Sequence, residues 1–309
     1  MKALVLGASG GMGSALTFEL ANRGFEVIAF ARSEDKLRKI FDKHQKITIQ
    51  PGDVFKIEDL ELVAHDVDLI FHAVNLPYNE WKDKQEIMLR NILQISERYK
   101  AKLAIVDNVY AYGRCFGRKV TEDFPKKPHT NKGIIRLKLE KMALSSKVPV
   151  VIAHFPDFYG PYAESTVLYY MLQSIVKNER AMFVGNQQVE REYIYTPDGA
   201  RALIELALSD ASYGECWNIP GAGIITGEEL VELIKKSTGY SKKVSTVTKG
   251  MVRFSGLFNK MMREYVEMYY LNEDPLVLDG SKYEERIGVI PRTTYQDGMA
   301  HTLQMMNSE

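Results

Sequence analysis

Short apolar runs and longer amphipathic segments alternate along the first half of the chain. The runs Ala3 to Leu6, Glu26 to Ala31, Ile47 to Gln50, Asp66 to Phe71, Leu103 to Val106 and Pro149 to His154 have the length of strands buried on both faces. Between them, Ser14 to Arg23 carries Ala15, Leu16, Leu20 and Ala21 at helical spacing and ends at Gly24, and further helices are predicted over Glu34 to Asp42 and Trp81 to Tyr99. Strands joined through helices by short turns require right-handed crossovers and a parallel sheet. The predicted class is therefore α/β, a Rossmann-type doubly wound parallel sheet with a smaller C-terminal lobe. Residues 1–155 form the core in this reading, 192–212 return to it, and 156–309 are mainly the lobe. In that half Asp198 to Leu208 reads as an amphipathic helix and Cys216 to Ile219 as a short strand, and Thr226-Gly227-Glu228-Glu229 has the spacing of a capping box. The stretch Met251 to Leu271 has apolar residues at helical spacing, which suits lobe packing, a lid or a dimer face.

The first strand runs into Gly7-Ala8-Ser9-Gly10-Gly11-Met12-Gly13, and a helix follows. Strand, glycine-rich turn and helix in that order are the layout of a dinucleotide-binding turn. Gly7 permits the tight turn, Gly10 lets backbone approach a pyrophosphate, and Gly13 lets the helix pack closely on the sheet. Gly7, Ser9, Gly10, Gly11, Met12 and Gly13 are the expected cofactor contacts, with the phosphates at the positive end of the helix. The end of the second strand lies beside the adenosine ribose in this topology, and the sequence there is Ala31-Arg32-Ser33 where an NAD site carries a carboxylate. A guanidinium suits a 2′-phosphate, so Arg32 favours NADP(H), with NAD(H) as the alternative. Asp53 and Val54, after the third strand, face the adenine. Ala73 and Val74 close the fourth strand on the cofactor, and Asn75 and Tyr78 stand at the nicotinamide and substrate end.

Composition narrows the function classes. Lys plus Arg and Asp plus Glu balance at 40 each in 309 residues, so no net field favours nucleic acid or an anionic membrane. Cys115 and Cys216 lie far apart without metal-ligand spacing, and no metal site is expected. The chain reads as a cytoplasmic protein with a small-molecule substrate and the option of a homodimer.

The glycine turn, Gly52-Asp53, His72-Ala73, Phe158-Tyr159-Gly160-Pro161 and Arg191-Glu192-Tyr193-Ile194-Tyr195-Thr196-Pro197-Asp198 follow one another in an order that resembles the extended short-chain dehydrogenase/reductase superfamily, the epimerase/dehydratase-like group. The resemblance covers nearly the whole chain. It implies substrate contacts at the position before Tyr159-Gly160-Pro161, here Asp157, and at Arg191. It also implies a Tyr-x-x-x-Lys pair on the helix after the fifth strand and a Ser or Thr at that strand's end. Here Asn108 takes the Ser/Thr position, Lys132 the Tyr position and Arg136 the Lys position. This matches an atypical branch of the superfamily. An amide still donates a hydrogen bond to a carbonyl. Arg136 suits a ribose hydroxyl but not proton transfer. Lys132 is a proton shuttle only if burial and neighbouring positive charge depress its pKa, and Tyr110 is a second proton donor candidate. Tyr78 to Lys82 repeats the Tyr-x-x-x-Lys spacing after the wrong strand and reads as coincidence, and His154 reads as a satisfied core residue. Asp157 repels a diphosphate whereas Arg191 attracts one, which leaves the substrate class open. Two functions follow. One is an NADP(H)-dependent oxidoreductase or epimerase/dehydratase on a small polar or sugar-like substrate, with Asn108, Lys132 and Tyr110 as catalytic candidates. The other is an inactive NADP(H)-sensing or scaffold protein.

Overall fold

The structure is a computed structural model and describes residues 1–308. Its strands are β1 (Lys2–Leu6), β2 (Glu26–Ala31), β3 (Ile47–Pro51), β4 (Leu69–His72), β5 (Lys102–Asn108), β6 (Lys119–Val120), β7 (Val150–Phe155), β8 (Asp157–Tyr159), β9 (Met182–Val184), β10 (Glu190–Tyr195), β11 (Cys216–Asn218), β12 (Ile224–Thr226), β13 (Ser245–Val247) and β14 (Val277–Leu278). The helices are α1 (Gly11–Asn22), α2 (Glu34–Phe41), α3 (Ile57–Ala64), α4 (Trp81–Tyr99), α5 (Asn131–Leu144), α6 (Val167–Val176), α7 (Thr196–Leu208), α8 (Gly227–Thr238), α9 (Lys249–Ser255), α10 (Lys260–Tyr265), α11 (Tyr270–Glu273), α12 (Ser281–Arg286) and α13 (Tyr295–Ser308).

Seven parallel strands form the central sheet in the order β11-β7-β5-β4-β1-β2-β3. Successive side chains of a strand point to opposite faces, and both faces here are apolar. Ala3 and Val5 of β1 join Val27 and Ala29 of β2 under α1, α2 and α7. Leu4 and Leu6 join Ile28 and Phe30 under α3, α4 and α5. The first face holds the smaller residues and also Ala200 and Ala202 of α7, which lets α1 and α7 pack closely. The lobe has its own core, in which α6, α8 and α13 bury Leu172, Leu230 and Leu303 against Phe183 and Tyr193.

The helix after the glycine turn begins at Gly11, three residues earlier than the apolar spacing predicts, because Gly11 and Gly13 in its first turn carry no side chain to mark the apolar face. β11 is an outer strand of the central sheet, so the return of the chain to the core extends past residue 212. The capping box at Thr226 and Glu229 is formed in both directions. The apolar spacing of Met251 to Leu271 is interrupted. Gly256 ends α9, Asn259 caps α10 by accepting from the Met261 and Met262 amides, and Phe254, Leu257, Phe258 and Met261 are exposed instead of packed. In the same stretch Val252, Met268, Tyr269 and Tyr270 are buried and Met262, Tyr265, Val266 and Leu271 half-buried.

Candidate functional site

The glycine turn sits where β1 meets α1. Gly7 has φ +85°, and a Cβ there would lie 2.8 Å from the Ala73 carbonyl and the Val74 amide. At Gly13 a Cβ would lie 2.0 Å from the Gly7 carbonyl oxygen, so only glycine lets α1 start against the turn. At Gly11 it would meet Ala163 at 2.8 Å, which brings the lobe loop after β8 over the helix start. Gly10 differs from these three. A Cβ there would meet only the Gly7 oxygen, at an ordinary 3.5 Å, so the space in front of it is empty of protein. Gly10 is also the N-cap of α1 and provides no side-chain cap, which leaves the first amides of the helix without a side-chain acceptor. An open backbone face at an uncapped helix start fits a bound pyrophosphate. Ser9 is half-buried beside it, whereas the Met12 side chain packs under the turn against Gly199 of α7.

Arg32 follows β2 at the same edge of the sheet, is exposed, and has no acidic partner among the described residues. Ser33 caps α2 by accepting from the Lys36 amide, which holds the ammonium-bearing Lys36 one turn beyond Arg32. Lys36 pairs with Glu164 of the lobe loop at 2.8 Å. Asp53 uses one carboxylate oxygen to accept from the Phe55 amide, and its own amide donates to Asp59. Val54 is buried and its carbonyl accepts from Asn91.

The ends of β4 and β5 carry an aromatic cluster. The Tyr78 and Tyr110 hydroxyls are 2.7 Å apart, and Trp81 packs on both rings while its indole N–H donates to the Leu76 carbonyl. Asn75 is exposed beside them, and Ala73 and Val74 are half-buried. The Asn108 amide oxygen accepts from the Tyr110 backbone N–H at 3.0 Å, which fixes the short turn presenting Tyr110. Burial raises both phenols, Tyr78 to about 12 and Tyr110 well above its ordinary value. Both stay protonated at neutral pH. His72, buried beneath them, is lowered to about 3 by burial and then by Arg136, and so is neutral.

Thr130 caps α5, and the helix brings Lys132, Arg136 and Glu140 along its buried side at four-residue spacing. Arg136 lies 4.4 Å over Trp81 and pairs with buried Asp107 at 3.4 Å, while its Nε has no partner. The Lys132 ammonium is buried and lies 5.6 Å over the Tyr78 ring. Where the proton-shuttle expectation requires positive neighbours, the structure supplies two carboxylates, Glu264 of α10 and Glu267 at 2.9 Å. These come from the segment after α9, which also stacks Tyr265 on Tyr78 at an interplanar angle of 9°. Lys82 is exposed on α4 and takes no part.

Asp157 is reached by solvent, yet protein surrounds it closely enough for burial to raise its carboxyl above the usual range, against the pull of Arg191. Its charge reaches Tyr78, Tyr110, Tyr193 and Tyr265, so these four phenols lie near it. Arg191 is buried. One terminal nitrogen donates to Asn272 of α11 at 2.7 Å and the other to the Val184 carbonyl at 2.8 Å, which leaves only Nε without a partner.

The NAD dependent epimerase/dehydratase family model matches residues 3–219. The chain belongs to this family. Among solved structures it resembles dTDP-glucose 4,6-dehydratase from Bacillus anthracis in complex with NAD, at 21% identity and TM-score 0.82 over 100% of this chain and 97% of that one. It also resembles UDP-glucuronic acid 4-epimerase from Bacillus cereus in complex with NAD, at 17% identity and TM-score 0.81 over 100% and 99% of the two chains. UDP-glucose 4-epimerase from Thermotoga maritima is similar at 20% identity and TM-score 0.78 over 100% and 99%. At these identities the likeness establishes the fold. The uncharacterized Saccharomyces cerevisiae protein YLL056C is 38% identical over 72 residues, which are 23% of this chain and 24% of that protein.

Within the family frame, the chain brings Asn108, Tyr110, Tyr78, Lys132 and Asp157 near one another beyond the carboxyl edge of the sheet, whereas Arg191 is committed to the lobe. Sequence reading missed Asp107, Tyr265, Glu264, Glu267 and Asn272. Their partners lie 29 to 187 positions away along the chain, and no local pattern marks such pairs.

Proposed function

We propose that the protein is an NADP(H)-dependent oxidoreductase acting on a small polar, uncharged or cationic carbonyl or hydroxyl compound. The observation that carries the reading is the pair of protonated phenols, Tyr78 and Tyr110, joined at 2.7 Å beside Asn108 at the carboxyl edge of the sheet. Asp157 disfavours a diphosphate at this site, and Arg191, whose two terminal nitrogens already donate to Asn272 and the Val184 carbonyl, is held in the lobe and does not offset it. This separates the proposed substrate from the nucleotide sugars named in the related structures. The unpaired Arg32, with Ser33 and Lys36 beside it, supports the 2′-phosphorylated cofactor.

The amides at the start of α1 would hold the pyrophosphate, Arg32 the 2′-phosphate, and Asp53 and Val54 the adenine. A bound reduced nicotinamide supplies hydride. The protein supplies the proton at the substrate oxygen from Tyr110 or Tyr78, and the second hydroxyl of the pair accepts the hydrogen bond of the first. The Asn108 side-chain amide donates to the same oxygen. Lys132, over the Tyr78 ring, stabilises negative charge arising on that phenol.

The test is NADPH consumption, followed by loss of its near-ultraviolet absorbance, across a panel of small aldehydes, ketones and oxidised sugars. Tyr110→Phe and Tyr78→Phe should each lower kcat about 100-fold or more while NADPH fluorescence still reports binding. Full turnover in both variants excludes the phenol pair. Arg32→Asp should weaken NADPH about 10- to 100-fold and leave NADH little changed. Equal loss for both cofactors excludes the 2′-phosphate assignment. A second reading, an NADP(H) sensor, rests on the two carboxylates that close Lys132 off, and binding without turnover across the whole panel selects it.

A further inference from the structure

Between Glu232 and Glu264 the chain has eight Lys or Arg residues and no acidic one, although the whole protein is balanced at 40 of each sign. The end of this stretch is the α9–α10 hairpin, where Gly256 brings α9 within 3.0 Å of the Arg263 backbone as measured from an added Cβ. Its turn carries Phe254, Leu257 and Phe258 at 68%, 71% and 82% exposure, with Met251 and Met261 at 49% and 39% beside them. Phe254 and Phe258 pack edge to face at 5.9 Å and so form one apolar unit. Exposure this high means that the side chains stand clear of the protein as a tip and do not line a groove. In the same hairpin Arg253, Lys260 and Arg263 are exposed and have no acidic partner among the described residues.

We propose that this hairpin docks the protein on an anionic lipid bilayer, with Phe254, Leu257 and Phe258 inserted at the headgroup boundary and the three cations on the lipid phosphates. An apolar tip ringed by unpaired cations meets both requirements of interfacial binding, buried apolar area and attraction to anionic headgroups. A protein partner needs a groove shaped to the protruding tip, whereas a bilayer accepts any such tip. No helix among the described residues is long and apolar enough to cross a membrane, so the contact is with the surface. The overall charge balance that argues against a membrane is an average over a segregated surface.

The experiment is co-sedimentation of the full chain with vesicles of phosphatidylcholine alone and of phosphatidylcholine with phosphatidylserine. Binding should require phosphatidylserine and fall with salt. Replacing Arg253 and Lys260 by Gln should weaken it about 25-fold, from about fivefold per cation. The triple variant F254S/L257S/F258S should abolish it, and because these side chains are exposed its unfolding temperature should match wild type. No binding to either vesicle, or unchanged binding by the triple variant, overturns the proposal. A wild-type dimer that ignores vesicles and becomes monomeric in the triple variant also overturns it and makes the tip an interface between copies.

Discussion

The four glycines of the first turn have different reasons to be glycine. At Gly13 the reason is internal, since an added Cβ meets the Gly7 carbonyl at 2.0 Å. At Gly10 nothing in the protein forbids a side chain, and its φ of −94° is open to any residue. Only a ligand can need that space. Gly10→Ala should therefore fold with a stability change below about 1 kcal/mol and yet lose NADPH binding. Gly13→Ala should be destabilised by about 1–3 kcal/mol or more before any ligand is added. Thermal unfolding and cofactor fluorescence, measured on both variants, separate the two roles. If Gly10→Ala binds NADPH as wild type does, the pyrophosphate is not at this turn.

At the scale of elements, the segment 260–273 acts as a cover held by ionic and polar ties. Lys132 pairs with Glu264 and Glu267, the Asn131 amide donates to Glu267 at 2.8 Å, and Arg191 donates to Asn272. A buried ammonium that loses a carboxylate partner is costly, so Glu267→Gln should loosen the cover. Hydrogen exchange of amides in α10 and in the following turn should quicken about tenfold or more, while β1 and β5 stay protected. Unchanged exchange there means that apolar packing holds the cover and the ion pairs do not. This cover also marks the limit of what the sequence discloses. Features specified within a few residues are legible in it: the glycine turn, the Thr226 capping box, and the alternation of strands and helices. Even the break at Gly256 and Asn259 carries local signals, a glycine stop and an asparagine cap, although the apolar spacing obscures them. What Lys132 touches is set by a segment more than a hundred residues on, and the sign of that charge decides how the lysine behaves. Arg191 is similar. Its type suggests phosphate, and only folding shows that Asn272 and the Val184 carbonyl occupy it.

The whole molecule couples its sheet to α5 through charge as well as packing. His154 is fully buried in β7, with Nε2 3.0 Å from Glu140 of α5 and Nδ1 near Tyr112 and Asn218. Lys126 lies 2.5 Å from the same Glu140 oxygen, and Cys216 of β11 completes the cluster. Burial alone disfavours the imidazolium, but hydrogen bonds to Cys216 and Glu140 outweigh it and raise His154 from 6.5 to about 9. Burial likewise disfavours the Glu140 carboxylate, and His154 and Lys126 outweigh it, lowering Glu140 from 4.5 to about 2. The raised group stabilises the fold fully below its unfolded value and loses that contribution as pH rises through its folded one. The lowered group stabilises above its unfolded value and loses its contribution as pH falls. Both contributions are complete only between about pH 4.5 and 6.5. His154→Gln keeps a polar side chain in the space and leaves Lys126 to hold Glu140, so the variant should fold. Its deficit against wild type should be greatest in that window, of order 1–3 kcal/mol, and should shrink as pH rises from 6.5 towards 9. Paired thermal or urea unfolding of the two proteins across that range measures it. A deficit independent of pH makes His154 a packing residue with a neutral ring and dissolves the ionic tie between α5 and β7.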